Sequence, residues 1–245
     1  MIITDPTKRF QRNVEKQNTV LQFLKQETYS DFSNLKLLLN YKNRAPLDRL
    51  LNKLLDQDLV VKHISNYHQF KISLWGITAQ GLNQCVEFTE NASPPYFQPS
   101  KVKTWTMLHH LMNQEVRIYL ERKGWTDWQN GDRHSFKKKY PVAHRPDAVI
   151  LAPNGYPIAI ETERNIKTAK RYQEVIKSHL LAKKAKYWEK VIYVVPDKKT
   201  QHTIKNHFNA ITYVTINNTR VTLTEEHRRV FDVFTLDEIK TLRIG

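Results

Sequence analysis

Two stretches in the second half of the chain carry residue types that do chemistry when they meet: His144-Arg-Pro-Asp-Ala-Val-Ile150 and Pro157-Ile-Ala-Ile-Glu-Thr-Glu-Arg-Asn165. Between them, Pro153-Asn154-Gly155 has the composition of a tight hairpin turn, so both read as strands of one antiparallel pair. Side chains alternate along a strand. Glu161 and Glu163 therefore share a face, and pairing across the turn brings Asp147 beside them. Three carboxylates among Val149, Ile150, Ile158 and Ile160 repel one another and resist ionisation unless a cation compensates them. Oxygen ligands select hard divalent ions, so the expectation is Mg2+ or Mn2+ held by Asp147, Glu161 and Glu163. Such an ion activates water and polarises a phosphate, the chemistry of phosphodiester cleavage. The plainer alternative is a set of solvated strand-end acids paired with neighbouring lysines.

The surroundings suit a phosphate. Lys137, Lys138, Lys139 and Arg145 precede the acids, and Arg164, Lys167, Lys170 and Arg171 follow them. Over 245 residues, 39 Lys and Arg stand against 24 Asp and Glu, a formal net charge of +15. Residues 1–100 hold 12 basic and 9 acidic side chains, a net of +3, whereas residues 101–245 hold 27 and 15, a net of +12. A polyanionic partner, DNA, is therefore expected to meet mainly the second half. The single cysteine, Cys85, excludes an internal disulfide and suits a reducing compartment. The first residues lack the apolar core of a secretion signal, and no run of about 18 apolar residues occurs, so the expectation is a cytoplasmic protein without membrane insertion.

Two domains are expected, residues 1–92 and 101–245, divided by the proline-rich stretch Asn91–Ser100. Overall this is an α/β chain of the α+β kind. In the first domain, apolar stripes at Val20–Leu24, Phe32–Leu39 and Leu47–Leu55 predict three helices. Leu59–Ile64 and Phe70–Trp75 predict a hairpin, and Thr78–Asn83 a return helix. This order, with the phrase DRLLNKLLDQDLVVKHIS and then LWGITAQGL, resembles bacterial winged helix-turn-helix domains over about residues 15–90. The resemblance implies that the helix of residues 46–56 enters a major groove, with Arg44, Arg49, Asn52 and Lys53 reaching bases or phosphates and His68 and Lys71 touching the flanking backbone. Protein contacts or dimerisation are the other use of such a domain.

In the second domain the pattern predicts a helix over 105–123, strands over 136–140, 146–151 and 157–163, and a helix over 166–188. A buried strand at 191–195, a helix at 199–208, a strand at 211–216 and a closing apolar segment follow, giving a mixed sheet flanked by helices. Several residues admit two readings. Tyr172 and Tyr187 pack in the core or form a covalent phosphotyrosine. Trp125 and Trp128 are core or stack on an unpaired base. His144 is a hydrogen-bonded strand histidine or a contact to metal or phosphate. Lys183, Lys184 and Lys186 make a solvated helix face or follow a DNA backbone.

Pro-Asp, then Glu-x-Glu 14 residues on at the end of a hairpin, with a helix before and α and β elements after, resembles the PD-(D/E)xK nuclease superfamily with its restriction-endonuclease-like core. The departure is Glu163, which stands where that family carries lysine. The resemblance implies that the missing positive charge comes from Lys167, Lys170 or Arg145, and that the first helix adds an acid, Glu115, beside His109 or His110. A winged helix followed by HRPDAVI and ETER further resembles the MobC-type plasmid relaxases and replication-relaxation proteins. That implies a metal-dependent nickase acting at a plasmid transfer origin during mobilisation, with a coupling protein and auxiliary factors as partners. The alternatives are a restriction or repair endonuclease, and a non-catalytic DNA-binding replication initiator or regulator.

Overall fold

The computed structural model describes residues 5–67, 69–85 and 94–241, which divide into two units, Met1–Ile118 and Tyr119–Gly245. His68 lies outside the described residues. No helix among them is long and apolar enough to cross a membrane.

In the first unit, α1 (Pro6–Glu27) opens on Asp5, whose carboxylate accepts from the Thr7 amide at 2.8 Å. It is followed by β1 (Tyr29–Asp31) and α2 (Phe32–Leu38), which Asp31 caps through the Asn34 amide. The next helix, α3 (Ala45–Asp56), has Pro46 in its first turn and buries Leu47, Leu50, Leu51 and Leu54. Those positions recur at the i, i+3, i+4, i+7 spacing that puts them on one face. The expected hairpin is β2 (Val60–Tyr67) and β3 (Phe70–Ile77), and α4 (Ala79–Cys85) returns with Cys85 buried. The three-residue β1, not expected from so short a run, pairs antiparallel with β3 and makes the sheet order β1-β3-β2.

The units part later than the proline-rich segment, inside α5 (Thr104–Glu121). The cause is packing. Met107 and Leu111 cluster with Leu74 and Phe97, Gln114 takes a hydrogen bond from Ser30 Oγ at 2.6 Å, and Arg117 pairs with Glu27 at 2.6 Å. Most of α5 thus belongs with the first unit, Glu115 included.

The second unit runs β4 (Thr126–Asn130), α6 (His134–Lys139), β5 (Ala148–Leu151), β6 (Pro157–Thr162), α7 (Ala169–Lys184), β7 (Lys190–Val195) and α8 (Lys198–Ala210). It continues with a small hairpin of β8 (Tyr213–Ile216) and β9 (Thr219–Thr222), then α9 (Glu225–Arg228), β10 (Phe231–Thr235) and α10 (Leu236–Thr241). The five-stranded sheet has the order β10-β7-β6-β5-β4. Its β4–β5–β6 half is antiparallel and its β6–β7–β10 half is parallel, so β6 is where the sheet changes sense. Val191 through Val195 are all buried, as a strand covered on both faces requires. Edge strand β4 slips register between Thr126 and Gln129, with Asp127 at φ 55°.

Residues 136–140 do not form a strand; they lie in and just after α6, because Phe136 and Tyr140 are spaced i, i+4 and turn to the same core while the three lysines between them stay exposed. The first strand of the sheet is β4 instead.

At the end of this unit, Glu238 makes an ion pair with Lys198 and accepts from the Thr235 amide and Gln201. The Lys198 hydrogen bond leads in holding its carboxyl down at about 2; burial, the next largest effect, opposes it, and the Thr235 and Gln201 bonds add to the lowering. A group depressed in the folded state adds stability that is present above its unfolded value and lost as pH falls through the folded one. The stability difference between wild type and Glu238→Gln is therefore expected to be full above pH about 4.5 and to vanish towards pH about 2, read by urea titration across that range.

Candidate functional site

The hairpin places the acids as its register requires. Ala148 pairs with Ile160 and Val149 with Ala159, so the ladder extended by one step sets Asp147 opposite Glu161. Gly155 closes the turn at φ 83°, a conformation open to glycine. Beyond the ladder, the Thr162 amide donates to Asp147 Oδ2 at 2.7 Å, tying the Asp147 side chain to the end of β6. On the other side, Glu161 lies opposite Tyr193 of β7, and the Glu163 amide donates to the Val194 carbonyl.

Glu161 and Glu163 are both buried, at 4% and 5% exposure. Burial pushes the Glu163 carboxyl up; its hydrogen bond and ion pair with Lys167 oppose this, and the nearby charges of Glu161 and Asp147 push it further up. Glu161 behaves differently. Burial works to raise it, yet hydrogen bonds with His144 and His179 prevail and hold it at about 2. The Nε2 atoms of both histidines fall on the same oxygen, Oε1, at 2.7 Å for His144 and 2.9 Å for His179. Among the described residues, no hydrogen bond falls on Oε2 of this buried carboxylate.

His179 was not singled out from the sequence, although a signal existed. Tyr172, Val175, Ile176, His179 and Ala182 form the buried stripe of α7, and a histidine inside an apolar helical stripe needs a partner. Its ring is fully buried against Trp188 and Phe231, and burial lowers its affinity for a proton. His144, left open from the sequence, sits on the segment entering β5. Its amide donates to Ser178 Oγ of α7 at 2.9 Å, and the Arg171 guanidinium stands 3.5 Å from its Nδ1. Among the described residues, the groups whose ligand atoms all lie within 4.8 Å of one another are His144, Glu161 and His179, a different set from the three acids expected.

The remaining sequence candidates fall as follows. Lys167 is half-buried and meets Glu163, whereas Lys170 is exposed on the first turn of α7. Tyr172 is fully buried, its hydroxyl accepts from the Lys167 amide at 3.1 Å, and burial raises it to about 12, so core packing accounts for it. Tyr187 packs against Tyr140 and Trp188. Trp125 and Trp128 are buried, the latter donating to Asn130. Lys138, Arg171, Lys184 and Lys186 are exposed, Arg164 is half-buried, Arg145 donates to the Gly131 carbonyl at 3.0 Å and Lys183 is engaged by Glu189. In the first unit, Arg49, Asn52 and Lys71 are exposed and Lys53 is half-buried, while Arg44 pairs with Asp48 and lies over the Phe32 ring. His109 and His110 are half-buried, and His110 bonds the Glu27 carbonyl.

Gly131 gives the site its footing. Its amide donates to the Asp147 carbonyl at 2.8 Å, and a Cβ there would lie 1.8 Å from the Pro146 carbonyl oxygen. Gly131→Ala is expected to force the Pro146–Asp147 backbone outward and cost about 1–3 kcal/mol, measurable by urea denaturation. An unchanged midpoint would show that this close approach does not hold Asp147.

Set against models of known protein families, curated proteins and solved structures, the chain matches none.

Proposed function

We propose that the second unit is a divalent-metal-dependent DNA endonuclease that nicks one strand, in the manner of a plasmid relaxase, and that the first unit is a winged-helix reader of the target. The observation that carries this reading is Glu161: a buried carboxylate kept ionised by two histidines, with Oε2 left open, beside an Asp147 carboxylate tied to the same strand end. A buried anion with an open oxygen and acidic neighbours fits a divalent cation that neutralises them. Bound there, the ion would activate water and offset charge on the leaving oxygen.

The protein's own residues supply the rest. Asp147 and Glu161 orient the ion. Glu163, expected as a third ligand, is instead engaged by Lys167, which thereby brings an ammonium group to the cluster from four residues further along. This is the positive charge missing from the Glu163 position itself. Exposed Lys138, Lys170 and Arg171 are available for phosphates. The sheet order, with an antiparallel hairpin carrying the acids and a parallel strand after α7, supports the restriction-endonuclease-like reading. The order helix, strand, two helices, hairpin and helix supports the winged-helix one.

The test is supercoiled plasmid, with and without a transfer origin, incubated with purified protein and Mg2+ or Mn2+. Open circles only with the origin support the relaxase. Linear product would make it a restriction-like or repair enzyme. No cleavage under either ion, with the plasmid still bound, would turn the reading to a DNA-binding initiator or regulator.

A further inference from the structure

We propose that His144, Glu161 and His179 form a mixed nitrogen and oxygen site that takes a first-row transition ion of the cobalt-to-zinc class in preference to Mg2+. This deepens the reading above by naming the ion, and it rests on that reading's use of Glu161 as a ligand.

Three observations carry it. First, the donor atoms converge: both Nε2 atoms lie 2.7–2.9 Å from one carboxylate oxygen, and all three ligand atoms fall within 4.8 Å of one another. Ligands ~2.1 Å from an ion and at right angles to one another stand ~3 Å apart, close to the 2.7 and 2.9 Å that separate each Nε2 from Glu161 Oε1. Second, the imidazoles are held from two directions. Their rings are 5.6 Å apart and nearly perpendicular, at 84°. Ser178 joins the two segments, bonding the His144 backbone through its hydroxyl while its chain neighbour His179 is clamped by Trp188 and Phe231. Third, Glu161 is buried and, among the described residues, its Oε2 takes no hydrogen bond, so the carboxylate has a second oxygen to offer an ion.

The donor types then decide the ion. Mg2+ takes oxygen ligands and gives up its water reluctantly, whereas imidazole suits the later first-row ions. Ligation through Nε2 leaves the ring proton on Nδ1. For His144 that nitrogen faces the exposed Arg171 guanidinium at 3.5 Å, so ligation requires this surface side chain to give up the contact. For His179, Nδ1 has no partner among the described residues, so the proton moves to a buried, unpaired nitrogen, a cost that the bond to the ion must offset.

The experiment is calorimetric titration of the full chain with Co2+ and with Mg2+, together with the visible absorption of the Co2+ form. Co2+ is expected to bind at least about tenfold more tightly than Mg2+, and His144→Gln and His179→Gln each to weaken Co2+ about tenfold or more while moving Mg2+ less than about twofold. The Co2+ absorption is expected to change in both variants. A Co2+ affinity and spectrum unmoved by both would overturn the inference. Should His179→Gln fail to fold by circular dichroism, His144→Gln decides, because its side chain is 16% exposed and reaches the surface. The two readings fail separately. A histidine-dependent Co2+ site in a protein that cuts no plasmid with any ion removes the nuclease, while plasmid cutting with histidine-independent Co2+ binding removes the mixed site.

Discussion

Glu161→Gln is expected to lower metal-dependent plasmid nicking by about a thousandfold, since removing a ligand charge forfeits several kcal/mol of transition-state stabilisation and ~4 kcal/mol is about three decades in rate. The amide keeps the size of the side chain and can still accept from His144 and His179, so the fold is expected to survive, with a thermal midpoint lowered by the loss of the charge those bonds stabilise. That separates chemistry from structure. Asp147→Asn is expected to behave similarly, because Asp147 is tied to the same strand end through the Thr162 amide. Quantified open circles over time are the readout. Nicking by Glu161→Gln at the wild-type rate would remove Glu161 from the reaction and with it the proposed site.

The second large effect lies in the first unit and concerns stability alone. Arg117 Nη1 meets Glu27 Oε1 at 2.6 Å, with the two side chains 8% and 0% exposed, and the Arg117 guanidinium lies 5.1 Å from the Phe23 ring. His110 adds a nitrogen 3.8 Å from the other Glu27 oxygen. Replacing Arg117 with Met leaves a fully buried glutamate without its main cation, which is expected to cost about 3–5 kcal/mol. The double replacement Glu27→Met with Arg117→Met is expected to recover most of that loss, because the desolvation of both charges disappears together. Urea unfolding of the two single variants and the double variant measures the coupling. Additive losses, with no recovery in the double variant, would mean that the pair is not coupled.

Much of this architecture can be read from residue types because it rests on short-range patterning. The leucine spacing of α3, the apolar run of β7 and the Pro153-Asn154-Gly155 turn each dictate local geometry whatever surrounds them. The pairing of Asp147 with the end of β6 follows from that turn and the alternation of the hairpin. What escaped depends on distant partners. Thr126-Asp-Trp-Gln-Asn130 is too polar to read as a strand, and it becomes one because β5 offers it a ladder. His179 becomes a partner of Glu161 only when α7 is laid along the sheet, which no spacing of 18 residues announces. The Glu27–Arg117 pair joins positions 90 residues apart.

The broken register of β4 has a consequence for how the protein behaves in concentrated solution. As the outermost strand next to β5, β4 would expose a row of backbone donors and acceptors to any passing extended chain. Its slip between Thr126 and Gln129, with Asp127 in the left-handed region, interrupts that row and places a charge in its middle. A foreign strand finds no continuous ladder to add to. The irregularity therefore guards this edge against aggregation by strand-to-strand stacking.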